Sequence, residues 1–431
     1  MDKVRIYKPF HLGLSLLAGL ALSVSIGCTS RPAAEDTGEI EFWTMQLQPK
    51  FNDYFGDLIA AFEAENPGVK VRWVDVPWTA MESKILTAVS AKTAPDVVNL
   101  NPTFASQLAT RNAWFDLDDR ISPEARSQYL PNIWQASTLK DQSFGIPWYL
   151  TTQIIIYNRS LLQEAGLDRP PATYAELANM AKQVKEKTGK YGFFVSFVAE
   201  DSGEILESLV KMGASLVDDE GKAAFNTPEG KAAFQYWVDL YQQNLLPPEV
   251  LTQGHRYAIE LYQGGETALL ATGAQFFPTI ENNAPAIAKV SAVAPQVTGE
   301  SGKKNVAVMN LVIPRDTDNP EDALKFALFV TNSTNQLAFA KEASVLPSTK
   351  DSVQEYIGKL NEKTDLSPLE QASKVGAQQL NDAEILVPAM DNLKVLQKAI
   401  YTNLQAAMLG QKSVEQALED AEKEWNSVVG N

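Results

Sequence analysis

The sequence predicts an α/β protein of two lobes, the first organised on a parallel, doubly wound sheet. Three observations carry that expectation. At 431 residues the chain exceeds what one ordinary hydrophobic core serves, so two domains are expected. Strand-like and helix-like segments alternate three times between residues 40 and 109, and serial β–helix units fold into parallel sheets with right-handed crossovers. The third is the stretch Gly145–Asn158, which reads GIPWYLTTQIIIYN. Pro147 pushes Ile146 to an extended conformation. The run Ile154, Ile155, Ile156 suits a strand buried on both faces. Trp148, Tyr149, Thr151 and Thr152, just before that run, have no such simple packing explanation. The chain is expected to change lobes here and to line a ligand cleft as it does so.

The first residues read as a targeting segment. Lys3, Arg5 and Lys8 precede an apolar run from Leu12 to Ile26, shorter than the ~20 residues a spanning helix needs. Small residues then lead to Gly27 and Cys28, which resembles the bacterial lipobox. There Cys28 would take lipid on its sulfur and become the new N-terminus. The plainer alternative is a cleavable signal with an incidental cysteine. Residues 1–27 are thus read as a lipoprotein signal peptide and 28–39 as a flexible tether, since Arg31 to Glu39 is small, polar and pattern-free. Cys28 is the only cysteine, so no intramolecular disulfide forms and the core alone must hold the fold.

Ile40 to Trp43 is a short strand that ends in the polar turn Thr44 to Pro49. Phe51 to Glu65 has helical spacing and stops at Asn66-Pro67-Gly68. Val69 to Val74 alternates as a strand, Trp78 to Lys92 is amphipathic, and Ala94 to Leu100 is a third strand, followed by a helix through Ala109. Beyond Asn158, Thr173 with Glu176 forms a capping box for a helix to Glu186. Tyr191 to Val198 is read as a strand, Ser202 to Met212 as a helix, and Phe225 to Thr227 as a minor edge. Thr227 and Pro228 open a capped helix through Asn244. Ala258 to Tyr262 is a short helix broken at Gly264 and Gly265. Thr267 to Ala271 is a buried strand that leads to Gly273–Phe277 and another short helix. Val290 to Ala294 and Val306 to Ile313 are the last strands. Pro320 to Thr331 is a helix with proline at its start, and the chain beyond Thr334 is mostly helical, clearest at 397–408 and 413–425.

The chemistry narrows by exclusion first. Hydrophobic content of 45% and charged content of 21% describe a globular chain. Loss of residues 1–27 removes three cations and one acid, so the formal charge of −16 becomes −18. That disfavours nucleic acid, whose phosphates need a basic footprint. His255 is the only histidine after the signal, so Cys/His metal clusters and Cys–His pairs are absent from the sequence. No nucleophile elbow, phosphate-binding loop or dinucleotide fingerprint occurs. No cofactor is expected, and the reading is of a protein that is not an enzyme.

Binding signatures are stronger. Trp43 lies where the first strand runs out, followed by Thr44 and Gln46. Asn99 and Asn101 end the third strand. Trp148, Tyr149 and Thr151 mark the change of lobe, and Gln275 and Phe276 follow the strand at 267–271. Ligands of open α/β sheets bind outside the carboxyl ends of the strands, the edge on which these four groups fall. Aromatic faces stack on the C–H face of a pyranose while amides and hydroxyls satisfy its hydroxyl groups, so the mixture suits a neutral polyol. Trp73, Trp114, Trp134 and Trp237 are read as packing residues, and His255 as a surface residue.

The chain resembles the extracellular solute-binding proteins of ABC sugar importers, the group that includes maltose-binding protein. The resemblance rests on Phe42-Trp43 with FEAENP at 62–67, APDVV at 94–98, GIP at 145–147 with IYNRS at 156–160, PATYAEL at 171–177, GETAL at 265–269 with Gly273, and Ile313-Pro314 with NPEDA at 319–323. Order, spacing and the lipobox together give it weight. It implies two doubly wound lobes joined by a three-crossing hinge, the type II periplasmic-binding-protein fold. The matched crossings fall at 149–152, near 267–270 and near 309–313. The lobes then comprise 40–149 with 270–310, and 150–269 with 311–431.

The resemblance places ligand contacts at Trp43, Thr44, Gln46, Asn99, Asn101, Trp148, Tyr149, Thr151, Gln275 and Phe276, and at Asn310 on the third crossing. It further implies a monomer that hands a sugar to ABC permease subunits, tethered outside the cytoplasm by lipid on Cys28. Two departures point away from maltodextrin and towards a smaller disaccharide or glycoside. The family's aromatic in the C-terminal lobe is missing, since the matching place reads Asp391-Asn392-Leu393-Lys394. After the third strand stand Leu100, Asn101 and Pro102 in place of Trp and charged residues. Rival readings are an exported glycosidase with a carboxylate pair, a sensor or scaffold that feeds no importer, and a binder of another solute such as glycerol phosphate.

Overall fold

The computed structural model describes residues 38–429 except positions 110 and 381. Cys28 and the signal lie outside the described residues. The described residues form twelve strands: β1 (Gly38–Met45), β2 (Val69–Val76), β3 (Val97–Leu100), β4 (Thr138–Leu139), β5 (Gln142–Ser143), β6 (Ile146–Thr152), β7 (Ile154–Asn158), β8 (Leu269–Thr272), β9 (Ser291–Pro295), β10 (Lys304–Val312), β11 (Leu346–Pro347) and β12 (Ala383–Glu384).

The first lobe is a seven-stranded sheet in the order β2-β1-β3-β10-β6-β11, with β12 added beside β10. β1 pairs in parallel with both β2 and β3, as the serial β–helix units require. The connecting helices Asn52–Glu65 and Trp78–Ala91 bury Phe55, Leu58 and Phe62, and Met81, Ile85 and Ala88, against it. β10 arrives from the other lobe and runs antiparallel between β3 and β6. Gly38 and Glu39, read as tether, are the first rungs of β1, paired with Val69 and Lys70.

The second lobe is built on an antiparallel sheet, β8-β7-β9. Ile154, Ile155 and Ile156 are buried in its middle strand, as the apolar run predicts. Residues 191–198 make only one ladder bridge, Tyr191 to Thr267, where a strand was expected. At Gly192 the backbone passes so close to the helix Tyr174–Thr188 that a Cβ would lie 2.7 Å from the Ala181 Cα. The segment still buries Phe193, Phe194, Val195 and Phe197. Residues 225–227 form no strand but instead cap the helix Pro228–Gln242, through Thr227.

The chain crosses between lobes at Gln153, between β9 and β10, and between β12 and the helix Leu393–Met408. This corrects the two later crossings expected near 267–270 and 309–313. β8 stays in the second lobe because it is laddered to β7, Ile154 opposite Thr272 through Tyr157 opposite Leu269. β10 is buried on both faces and bonded on both edges, so it is central to the first sheet through Val312. The helices between Pro320 and Glu362 cover that sheet. Phe326 packs edge-on to Phe42 at 5.1 Å, and Val330, Phe339, Tyr356 and Leu360 join the same core. Residues 270–295 therefore belong to the second lobe and 311 to about 362 to the first, while the helix Pro368–Gln378 packs on both cores, an arrangement set by chain pairing rather than local pattern.

Candidate functional site

The carboxyl ends of β1, β2 and β3 lie side by side on one edge of the first lobe's sheet. Asp75, near the end of β2, organises the turn after β1. Its carboxylate accepts from Thr44 Oγ1 at 2.7 Å and from the backbone N–H of Leu47 and Gln48, each at 3.0 Å. Thr44 also accepts from the Trp73 indole at 2.7 Å and is fully buried. Thr44 is thus a support, and the residue its turn displays is Gln46, exposed at φ 55°. Trp43 is buried as well. Its indole donates to Glu41 at 2.6 Å, and Lys84 lies over its ring at 4.0 Å.

Asn101 accepts from the Phe104 backbone N–H at 2.7 Å and so starts the helix Pro102–Ala109. That cap sets Phe104 beside Trp78, ring centroids 6.0 Å apart. Trp78 follows β2 directly and is 39% exposed. Sequence pattern marks it only as the start of a helix. The signal that could have found it is an aromatic placed at a strand's carboxyl end, behind Pro77.

Asn99 and Asn310 meet inside the sheet, both without exposure. Asn99 Nδ2 donates to the Asn310 carbonyl at 3.3 Å, and Asn310 Oδ1 accepts from Ser137 at 2.5 Å. Asn99 Oδ1 and Asn310 Nδ2 have no partner among the described residues. Gly145 permits this approach, since a Cβ there would sit 2.9 Å from the Asn310 Cβ.

Trp148 lies in the core of the first lobe. It has no exposure, stacks on Phe339, and packs against Phe42 and Phe55. Alternation along β6 sends Trp148 into the first lobe's core, while its neighbour Tyr149 stays half-buried. The Tyr149 hydroxyl is held above the usual phenol range, first by burial and then by the Asp75 carboxylate. Thr151 meets Gln275 in a recess of about 10 Å³ shared with Ser344 and Gly376, too small for a sugar.

On the second lobe Phe276 is met edge-on by His255 at 5.8 Å. His255 is half-buried rather than free on the surface. Its Nε2 bonds Thr272 Oγ1 at 3.1 Å, and its backbone N–H donates to Asp201 at 2.8 Å. Burial pushes its pKa down and Asp201 opposes the shift, so the imidazole stays neutral near pH 7. Gln397 donates to the carbonyls of Ala199 and Ser202, and Tyr401 donates to Ser202 at 2.6 Å, which fixes the loop that carries Asp201.

Amides tie the hinge together. The Gln153 carbonyl accepts from Gln379 Nε2 at 3.1 Å, and Gln379 Oε1 accepts from the Gln296 N–H at 3.0 Å. Gln296 and Asn305 exchange two bonds, and Asn305 Oδ1 accepts from the Leu386 N–H at 3.1 Å. All three crossings are joined in this way. At the mouth Lys394 pairs with Glu82, and Lys140 with Asp391. Among the described residues no group of three His, Cys, Asp or Glu could hold a metal, and no helix is long and apolar enough to cross a membrane.

Comparison with known proteins agrees with this geometry. The model of the family described as bacterial extracellular solute-binding protein matches residues 48–337. A crystal structure of a putative oligosaccharide periplasmic-binding protein from Synechococcus sp. MITs9220, in complex with zinc, is 46% identical with a TM-score of 0.87, covering 91% of this chain and 99% of that one. A Thermotoga lettingae solute-binding protein bound with α-D-tagatose shares the fold, with a TM-score of 0.77 at 24% identity over 91% of this chain and all of that one. The diacetylchitobiose-binding protein DasA of Streptomyces coelicolor is 23% identical over 87% of this chain and 86% of its own length.

Proposed function

From the premise that the chain belongs to the bacterial extracellular solute-binding protein family, we propose that it captures a small saccharide between its lobes and delivers it to an ABC import permease. The observation that carries this reading is the extent of the match. Two lobes, a three-crossing hinge and 91% of the chain align at 46% identity with a protein described as oligosaccharide-binding. Relatives named for arabinooligosaccharide and diacetylchitobiose support the same ligand class. The relatives are binding proteins, in keeping with a protein that performs no catalysis.

The ligand would lie between the exposed groups at the ends of β1–β3 and the face of the second lobe. Trp78 and Phe104 offer stacking surfaces, with Gln46, Asn101 and Tyr149 as polar neighbours. Phe276, Gln275 and His255 are their counterparts opposite. Trp43, Thr44, Asn99, Asn310 and Trp148 act from beneath by fixing the turns and strands that carry these groups. Ligand bound to both walls favours the closed state by its differential affinity, which is what shifts a hinge equilibrium. A micromolar dissociation constant corresponds to roughly −8 kcal/mol, within reach of two or three stacked rings and several hydrogen bonds. The lipobox supports tethering through Cys28, and a monomer is sufficient for the cycle.

Intrinsic tryptophan fluorescence and thermal melting across mono-, di- and trisaccharides test the proposal. A saccharide that shifts both is the expected result. If an amino acid, polyamine or glycerol phosphate shifts them and no saccharide does, the ligand class is wrong.

A further inference from the structure

We propose that Lys394 is a cross-lobe latch that closes the cleft without a ligand. Lys394 stands in the first turn of the helix Leu393–Met408, which is rooted in the second lobe by Leu393, Leu396, Ile400 and Leu404. Its ammonium reaches the other lobe. There it pairs with Glu82 and lies 5.6 Å from the centre of the Phe104 ring. Glu82 and Phe104 belong to the helices Trp78–Ala91 and Pro102–Ala109, which begin at the carboxyl ends of β2 and β3. One cation thus bridges the mouth from one lobe to two helices of the other.

The segment just before it adds two more contacts. Ala389 is buried among Trp43, Met45 and Met81 of the first lobe. Asp391 pairs with Lys140, which a two-residue turn with φ of 52° and 62° presents at the tip of the β4–β5 hairpin. The Lys394 and Glu82 side chains are 32% and 23% exposed, so this pair is screened less than one in open water. None of these contacts involves a ligand. The latch therefore adds to closure whether or not the cleft is filled, and raises apparent affinity towards the intrinsic value of the closed state while slowing ligand entry and release.

The test is the distance between the lobes in ligand-free protein, so it stands apart from the identity of the ligand. Spin labels on Asp57→Cys and Lys187→Cys, both exposed helix positions, are placed in the mature chain carrying Cys28→Ser. Double electron–electron resonance then gives the closed-to-open ratio. Lys394→Met is expected to lower that ratio about two- to five-fold, the range a partly exposed ion pair commands. The exchanged pair Glu82→Lys with Lys394→Glu should restore it. Raising NaCl from about 0.05 to 0.5 M should lower it more in the parent protein than in Lys394→Met, which keeps only the Lys140–Asp391 pair for salt to screen. An unchanged ratio in Lys394→Met, an exchanged pair that behaves like Lys394→Met, or equal salt responses would each overturn the latch. Circular dichroism melts of each variant separate loss of closure from loss of fold.

Discussion

The indole of Trp148 lies almost flat on the Phe339 ring, centroids 4.8 Å apart and planes 21° from parallel. This contact joins a sheet strand that leads to the hinge with the helix Ser333–Ala343 that covers it. Trp148→Ala should cost about 3–5 kcal/mol of stability by leaving a cavity. A denaturant midpoint measures that. Affinity per folded molecule should change less than about threefold, and a larger loss would return Trp148 to the ligand's surroundings.

Trp78 presents the opposite case. At 39% exposure its removal leaves no core cavity, so Trp78→Ala should alter stability by less than about 1 kcal/mol. Calorimetric affinity for the saccharide should nonetheless fall at least tenfold, because a stacking face is lost. Unaltered affinity would remove this ring from the cleft.

Gln379 binds two crossings at once and is 3% exposed. Gln379→Ala strands the Gln153 carbonyl and the Gln296 N–H. The expected cost is about 1–3 kcal/mol for buried groups left unpaired, together with a broader distribution of interlobe distances. A melting temperature equal to that of the parent would show that water replaces the amide.

Glu204 supplies a pH dependence. Burial, and next the neighbouring Glu207 carboxylate, raise its pKa to about 7, and Glu207 is raised as well, by burial. A carboxyl group whose folded pKa exceeds its unfolded one binds more protons when folded. Its contribution is therefore complete below about pH 4.5 and is lost as pH rises through about 7, a change on the order of 1–3 kcal/mol. Unfolding free energies measured between pH 5 and 8 should fall with pH, and Glu204→Gln should flatten the slope. A slope identical in both proteins would acquit Glu204.

Much of the first lobe was legible because β1, β2 and β3 are short alternating or apolar stretches next to turn residues such as Pro, Gly and Asn. The helix caps at Thr173 and Thr227 were legible for the same local reason. The later crossings were not. The apolar run at 306–313 says that β10 is buried on both faces, and it would read the same in either lobe. Only pairing with β6 and β3, about 150 and about 210 residues away in sequence, decides which sheet it joins. The site divides along similar lines. Aromatics at strand ends point to the carboxyl edge of the sheet, but alternation about Trp148 and Tyr149 leaves open which neighbour turns inward. Trp78 was hidden by opening a convincing helix. His255 looked solitary because Asp201, Thr272 and Phe276 reach it only through folding.

The amide ladder of Gln153, Gln379, Gln296 and Asn305 has a mechanical consequence. Three crossing segments tied to one another cannot swing separately, so an opening of the lobes would follow one shared axis as a single coordinate. The ties on that axis are neutral, whereas the fastenings at the mouth are ionic. Ionic strength should therefore change how far the two halves part and leave the line about which they turn unchanged.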